Sequence, residues 1–136
     1  MKYEDIEFLF QYVGSGRRFE RSAYLNRRTG ESYLISDLGD SDELPDDFDE
    51  SDDYLGIPHW NDLDLGEKLV FEFVEQRLPF AIERVHDFFR RAGAYGRFRD
   101  LLDRNDLLDE WHKFEADRAR AAMLEWCKVN HIELQD

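Results

Sequence analysis

Apolar residues recur in the first segment at Ile6, Leu9, Phe10 and Val13. That i, i+3, i+4, i+7 spacing belongs to a helix docked by one face, and Gly14 and Gly16 end it. From residue 19 the period changes. In "FERSAYLNRRTGESYLIS", Phe19, Arg21, Ala23 and Leu25 alternate with Glu20, Ser22 and Tyr24, and Tyr33 and Ile35 resume the alternation after "NRRTGE". A period of two predicts a β-hairpin, with Gly30 taking the left-handed conformation that closes it. "YLGIP" at 54–58 reads as extended, because Pro58 pushes Ile57 out of helical space, and it offers a short third strand.

The remainder reads helical. Asp64 with Glu67 three residues on resembles a capping box, opening a helix to about Arg77. Pro79 suits a first helical position and starts a helix to about Ala92. Gly93 and Gly96 separate it from "RFRDLLDR", and Asn105 or Asp106 caps a long final helix ending near Asn130. The predicted class is α+β, an N-terminal helix and small antiparallel β-sheet packed against about four C-terminal helices. An isolated hairpin is marginal in water, so helices must cover its apolar face. One domain is therefore expected over 1–136: helix plus hairpin at 1–36, an acidic linker at 37–53, then an extended segment and the helical region at 54–136.

Charge changes the picture at one place. The formal net charge is −14, and residues 37–53, "DLGDSDELPDDFDESDD", hold ten carboxylates and no Lys or Arg. They are Asp37, Asp40, Asp42, Glu43, Asp46, Asp47, Asp49, Glu50, Asp52 and Asp53. The other positions net only −4. Such a segment repels nucleic acid and anionic membranes. Hydrophobic content of 42% with 15% aromatics supports a folded core. The single cysteine, Cys127, excludes an intramolecular disulfide and fits a reducing, cytoplasmic setting. The first residues lack the pattern of a signal peptide, and no apolar run reaches membrane-spanning length.

The order of motifs carries a resemblance. The hairpin "AYLNRRTGESYLI", the "IP" after the acidic linker, "GRFRDLLDRNDLLDEWHKF" and the closing "EWCKVNHIEL" resemble uncharacterised protein family 0158, a bacterial family, over roughly residues 20–134. The resemblance implies a small cytoplasmic α+β protein. It implies no activity, cofactor or catalytic residue.

Known chemical patterns fit poorly. An EF-hand loop begun at Asp40 puts Leu44 and Pro45 at its fifth and sixth positions, and one begun at Asp47 puts Pro58 at its twelfth, so both registers fail. Glu83 and His86 have the Glu-x-x-His spacing of di-iron bundles. Around the stripe centred on Val85, however, they lie about 160° and about 100° away and face water. Cys127 lies near the end of the final helix, about 160° from Trp111, where the dipole disfavours a thiolate. The serines belong to no nucleophile elbow. "GSGRRF" at 14–19 lacks the preceding strand of a phosphate cradle. No cofactor, metal site or catalytic residue is expected.

Two charged features remain. The final helix has an apolar face of Leu107, Leu108, Trp111, Phe114, Ala122, Trp126 and Val129. Glu115 and Arg118 fall about 40° and about 20° from its centre, which predicts a structural ion pair against a neighbouring helix or a partner groove. Residues 84–104 carry six arginines, with "FFRRAGAYGRFR" combining basics, aromatics and two glycines. Arg90, Arg91, Tyr95, Gly96, Arg97 and Arg99 form the candidate anion- or partner-binding site, at the start of a helix near Ala94. The competing reading takes Gly93 as a helix C′ residue, Asp100 and Arg104 as an i,i+4 pair, and the phenylalanines as core. "RRFER" and "NRRTG" add five arginines on the hairpin.

Gly39, Pro45 and the interspersed serines read as a solvated connector, or as a flap over the arginines, rather than as a rigid mimic of nucleic acid. The function expected is a non-catalytic protein-binding or regulatory module in the cytosol that contacts a protein partner through the helical half, with the acidic run as solubiliser or as electrostatic complement to a basic partner; an inhibitor of a basic toxin or nuclease is one version. The alternative is an RNA- or ribosome-associated protein using segment 84–104. The third is an enzyme with a dispersed site. No membrane partner is expected.

Overall fold

The computed structural model describes residues 1–15, 20–37, 39 and 41–135. Gly16, Phe19 and Asp40, together with Arg17 and Arg18 of "RRFER", lie outside the described residues. The chain divides into two compact units, one of Met1–Leu63 with Ala122–Asp136 and the other of Asp64–Ala121. Among the described residues the elements are a helix, three strands and four further helices with two short 3-10 turns, an α+β protein.

In the first unit, α1 (Tyr3–Gly14) buries Ile6, Leu9, Phe10 and Val13, the four positions of its apolar stripe. Its start is closed by Asp5, whose carboxylate accepts the Lys2 backbone N–H at 3.4 Å. Strands β1 (Arg21–Asn26) and β2 (Ser32–Ser36) form the hairpin, and β3 (Tyr54–Gly56) pairs with the other edge of β1, all antiparallel in the order β2-β1-β3. Gly30 has φ +80° as the turn requires. Ala23 and Leu25 face the core, but on β2 it is Leu34, opposite Ala23, that shares their face. Tyr33 and Ile35 stand on the outer face, because Tyr33 pairs with Tyr24. The cover for the hairpin comes from α1 and from the chain's end, where Met123, Cys127 and Ile132 join the same cluster. Trp60 stacks on Phe10 at 5.4 Å, and Trp126 meets that ring edge-on at 5.4 Å.

The second unit begins with α2 (Glu67–Arg77). Its cap residue is Gly66, not Asp64. Asp64 has φ +59° and pairs instead with Lys68 at 3.6 Å. The chain leaves the Trp60–Leu63 turn there, and the reversal takes Asp64 out of capping geometry. Pro79 opens a 3-10 turn, Pro79–Ala81, that runs into α3 (Ile82–Phe88). This helix stops four residues before Ala92. Arg90 and Arg91 bond to Asp87 and Phe88 carbonyls in tightened turns, and Phe89 turns to meet Tyr95 at 5.0 Å and Phe98 at 6.5 Å. Gly93, at φ +78°, is therefore the entry residue of α4 (Ala94–Arg104) rather than the C′ residue of α3, and Gly96 lies within α4. The core is Leu69, Val70, Phe73, Val74, Val85, Phe98, Leu102 and Trp111 with their neighbours.

The last helix, α5 (Leu108–Val129), belongs to both residue ranges. Asn105 serves the preceding helix: its side-chain amide donates to the Leu101 carbonyl at 2.8 Å. The first α5 bond runs from the Trp111 N–H to the Leu107 carbonyl. The single apolar face expected of this helix is in fact two. Leu107, Leu108, Trp111 and Phe114 belong to the second unit's cluster; Met123, Trp126 and Cys127 belong to the first unit's. On an ideal helix Met123 and Cys127 lie about 120° and about 160° from Trp111. A stripe extrapolated from Trp111 therefore misses both, and Val129, placed on it, is 64% exposed.

Candidate functional site

The outer face of the sheet is aromatic. Tyr24, Tyr33 and Tyr54 each come from a different strand, and Phe48 reaches in from the acidic segment to lie 4.9 Å from Tyr24 and 5.2 Å from Tyr54. Carboxylates hold the tyrosine hydroxyls. Tyr33 donates to Glu31 at 3.0 Å and Tyr54 donates to Asp47 at 2.8 Å. Those hydrogen bonds, ahead of desolvation, push both phenols above their ordinary pKa.

The acidic segment is anchored to this sheet. The Leu34 N–H donates to the Asp42 carboxylate and the Asp42 N–H donates to the Leu34 carbonyl, both at 2.8 Å, so Asp42 extends the ladder at the β2 edge. The Ser41 hydroxyl accepts the Ser36 N–H at 3.0 Å and donates to its carbonyl at 3.1 Å. Asp53 pairs with Arg27 at 3.5 Å and Arg28 at 3.6 Å. The serines expected to loosen a connector are used to fasten it, and the ion pairs go to the hairpin turn. Asp37, Glu43, Asp46, Asp49, Glu50 and Asp52 remain exposed.

The hairpin turn depends on a residue that pattern reading passed over. Asn26 is the one buried polar side chain among the described residues. Its side-chain oxygen accepts the Arg28 and Thr29 N–H groups at 2.9 and 3.0 Å. The signal was available, since Asn ahead of a Gly-closed turn suits an Asx-turn.

The arginine segment is only partly gathered. Arg97, Asp100, Leu101 and Arg104 of α4 face Arg84 and Phe88 of α3 across a cleft of about 210 Å3. Of the six candidate residues only Arg97 lines it. Arg90 is paired with Asp87 at 2.6 Å, Arg91 is exposed, and Tyr95 packs on Phe89. The Tyr95 hydroxyl is pushed up by burial first, then by Glu67 and Glu115. Around Gly96, apart from its chain neighbours and the backbone of its own helix, no atom lies within 4 Å of where a Cβ would stand, so space does not demand glycine. Arg97 donates to the Ala92 carbonyl at 2.6 Å, which closes the loop before α4. Arg84 and Arg104 were overlooked as site residues, although 97, 100, 101 and 104 fall at i, i+3, i+4 and i+7.

Arg118 takes Glu72 of α2 as its partner rather than Glu115, one bond spanning 3.1 Å and a second completing a two-pronged pair, with its guanidinium 5.0 Å from the Phe114 ring. The α2 carboxylate matches the fork of the guanidinium. At 44% and 39% exposure, the pair contributes less than about 1 kcal/mol. Glu115 is instead raised by desolvation, with His112 and Arg99 pulling it down. Glu83 and His86 are exposed, and the His86 ring stacks on Phe71 at 4.1 Å. Cys127 is buried, which pushes its thiol up. Among the described residues no three His, Cys, Asp or Glu side chains gather as a metal site, and no helix is long and apolar enough to cross a membrane.

A family model described as an uncharacterised protein family (UPF0158) matches residues 8–135, nearly the whole chain, including the aromatic sheet face, the acidic segment and the arginine cleft. The chain belongs to UPF0158. Comparison with curated proteins and with solved structures finds no match. Membership of UPF0158 brings no activity with it, so function has to be argued from these two charged surfaces.

Proposed function

We propose that this UPF0158 chain is a non-catalytic, cytosolic protein-binding module that holds a basic partner on its acidic, aromatic sheet face. One observation carries the reading. The acidic segment is fastened to the sheet by Phe48, Asp42 and Asp53, so its remaining carboxylates are presented from a fixed base. A pre-ordered acidic surface loses less entropy on binding than a loose tail. It also steers a basic partner toward itself. Tyrosine faces beside carboxylates favour Lys and Arg side chains through cation–π attraction. The same rim repels phosphate, which argues against nucleic acid on this face. An inhibitor of a basic enzyme is one form such a module takes.

The test is a titration with an oligo-lysine peptide, followed by tyrosine and tryptophan fluorescence at graded salt. Affinity should fall as salt rises. Replacing Asp46, Asp49 and Asp52 with Asn and Glu50 with Gln should weaken binding roughly tenfold or more. Phe48→Ala leaves the net charge unchanged and should also weaken binding, because it releases the base. Equal binding by all three proteins would sink the proposal.

A further inference from the structure

The α3–α4 cleft lies outside the acidic surface and stands on its own observations. Three guanidiniums, Arg84, Arg97 and Arg104, line it with a single carboxylate, Asp100, among the described lining residues, over a floor of Phe88 and Leu101. The chain has 32 Asp and Glu against 18 Lys and Arg, so a cavity lined three to one by cations is opposed to the molecule's composition. Neither Arg84 nor Arg104 has an ion pair among the described residues; Arg84 lies 5.8 Å over the Phe88 ring. Asp100 and Arg104, though one turn apart, form no pair with each other among the described residues. Arg97 uses one amino group on the Ala92 carbonyl, which fixes the side chain and leaves its other donors.

We propose that this cleft binds a sugar phosphate. Guanidiniums match a phosphate dianion in charge and in donor geometry. A carboxylate among them repels the phosphate itself but accepts hydrogen bonds from hydroxyl groups, which assigns Asp100 to the sugar. Phe88 and Leu101 offer the apolar face on which a sugar ring rests. At about 210 Å3 the cleft is below the ~300–1,000 Å3 of drug-sized sites. It therefore suits a phosphate with one small ring, not a longer ligand.

Calorimetry of the full chain at low salt, with ribose 5-phosphate and with inorganic phosphate, tests this. Ribose 5-phosphate should bind more tightly. Arg84→Ala combined with Arg104→Ala should weaken it by roughly tenfold or more, whereas Arg91→Ala, outside the cleft, should leave it unchanged. All these side chains are exposed, so helical circular dichroism should be unaltered. Asp100→Asn should erase the preference for the sugar phosphate while inorganic phosphate binds at least as well as before. Equal affinity for the two phosphates in the unsubstituted chain, or binding that survives the double substitution, overturns the proposal. So does tighter binding by a short single-stranded RNA, whose diesters carry one charge each.

Discussion

Asn26 shows what one side chain contributes. It satisfies two backbone N–H groups in the hairpin turn while itself buried. Asn26→Ala should cost about 1–2 kcal/mol, read as a lower denaturation midpoint, whereas Asn26→Asp keeps the acceptor and should cost less. Cys127 makes the opposite point. Its thiol is raised by desolvation alone, so the folded chain holds that proton to higher pH than the unfolded chain does. The associated stability is complete below the ordinary thiol range and is lost as pH rises through it toward the folded value. A thiol reagent at mildly alkaline pH should label the native chain slowly and the urea-unfolded chain at once. Fast native labelling would contradict the burial. Neither residue stood out by period: Asn26 because polar positions carry no packing signal, Cys127 because its stripe differs from that of Trp111.

Among the elements, α1 and the hairpin were legible because their apolar positions repeat with a clean period, and the third strand because Pro58 holds the preceding backbone extended. The α3–α4 boundary was not, since Phe89 leaves the helix to pack on Tyr95 and Phe98 and no local rule encodes that choice. Gly96 tests the reading of α4. It sits inside the helix with open space around its absent Cβ. Gly96→Ala should therefore stabilise the chain by about 0.5–1 kcal/mol, measured as a raised melting temperature; a loss would mean that the glycine serves contacts not seen here. The acidic segment is tested by limited proteolysis. Intact, its bonds to β2 and the ring of Phe48 should slow cleavage between residues 41 and 52. Phe48→Ala removes the ring packed between Tyr24 and Tyr54 and should expose that stretch to cutting, with fragments identified by mass spectrometry.

For the whole molecule, charge is the dominant property. At −14 the chain repels its own copies, and solubility should pass through a minimum near the isoelectric point of about 4.6, followed as turbidity against pH at low salt. A minimum far from that value would show that local charge clusters, not net charge, govern association. From the sequence alone came the α+β class, the uneven charge and the faces of the short amphipathic elements, because each of these is a count or a period along the chain, and the family, because its motifs stand in order along it. The tertiary structure decided where opposite charges find partners: Arg118 with Glu72 across forty-six positions, Asp53 with Arg27 across twenty-six, and Arg84 facing Arg97 and Arg104 over one cleft. It also divided α5 between two cores. Such pairings depend on which surfaces meet in space, and a one-dimensional pattern records what each surface is without recording what it meets.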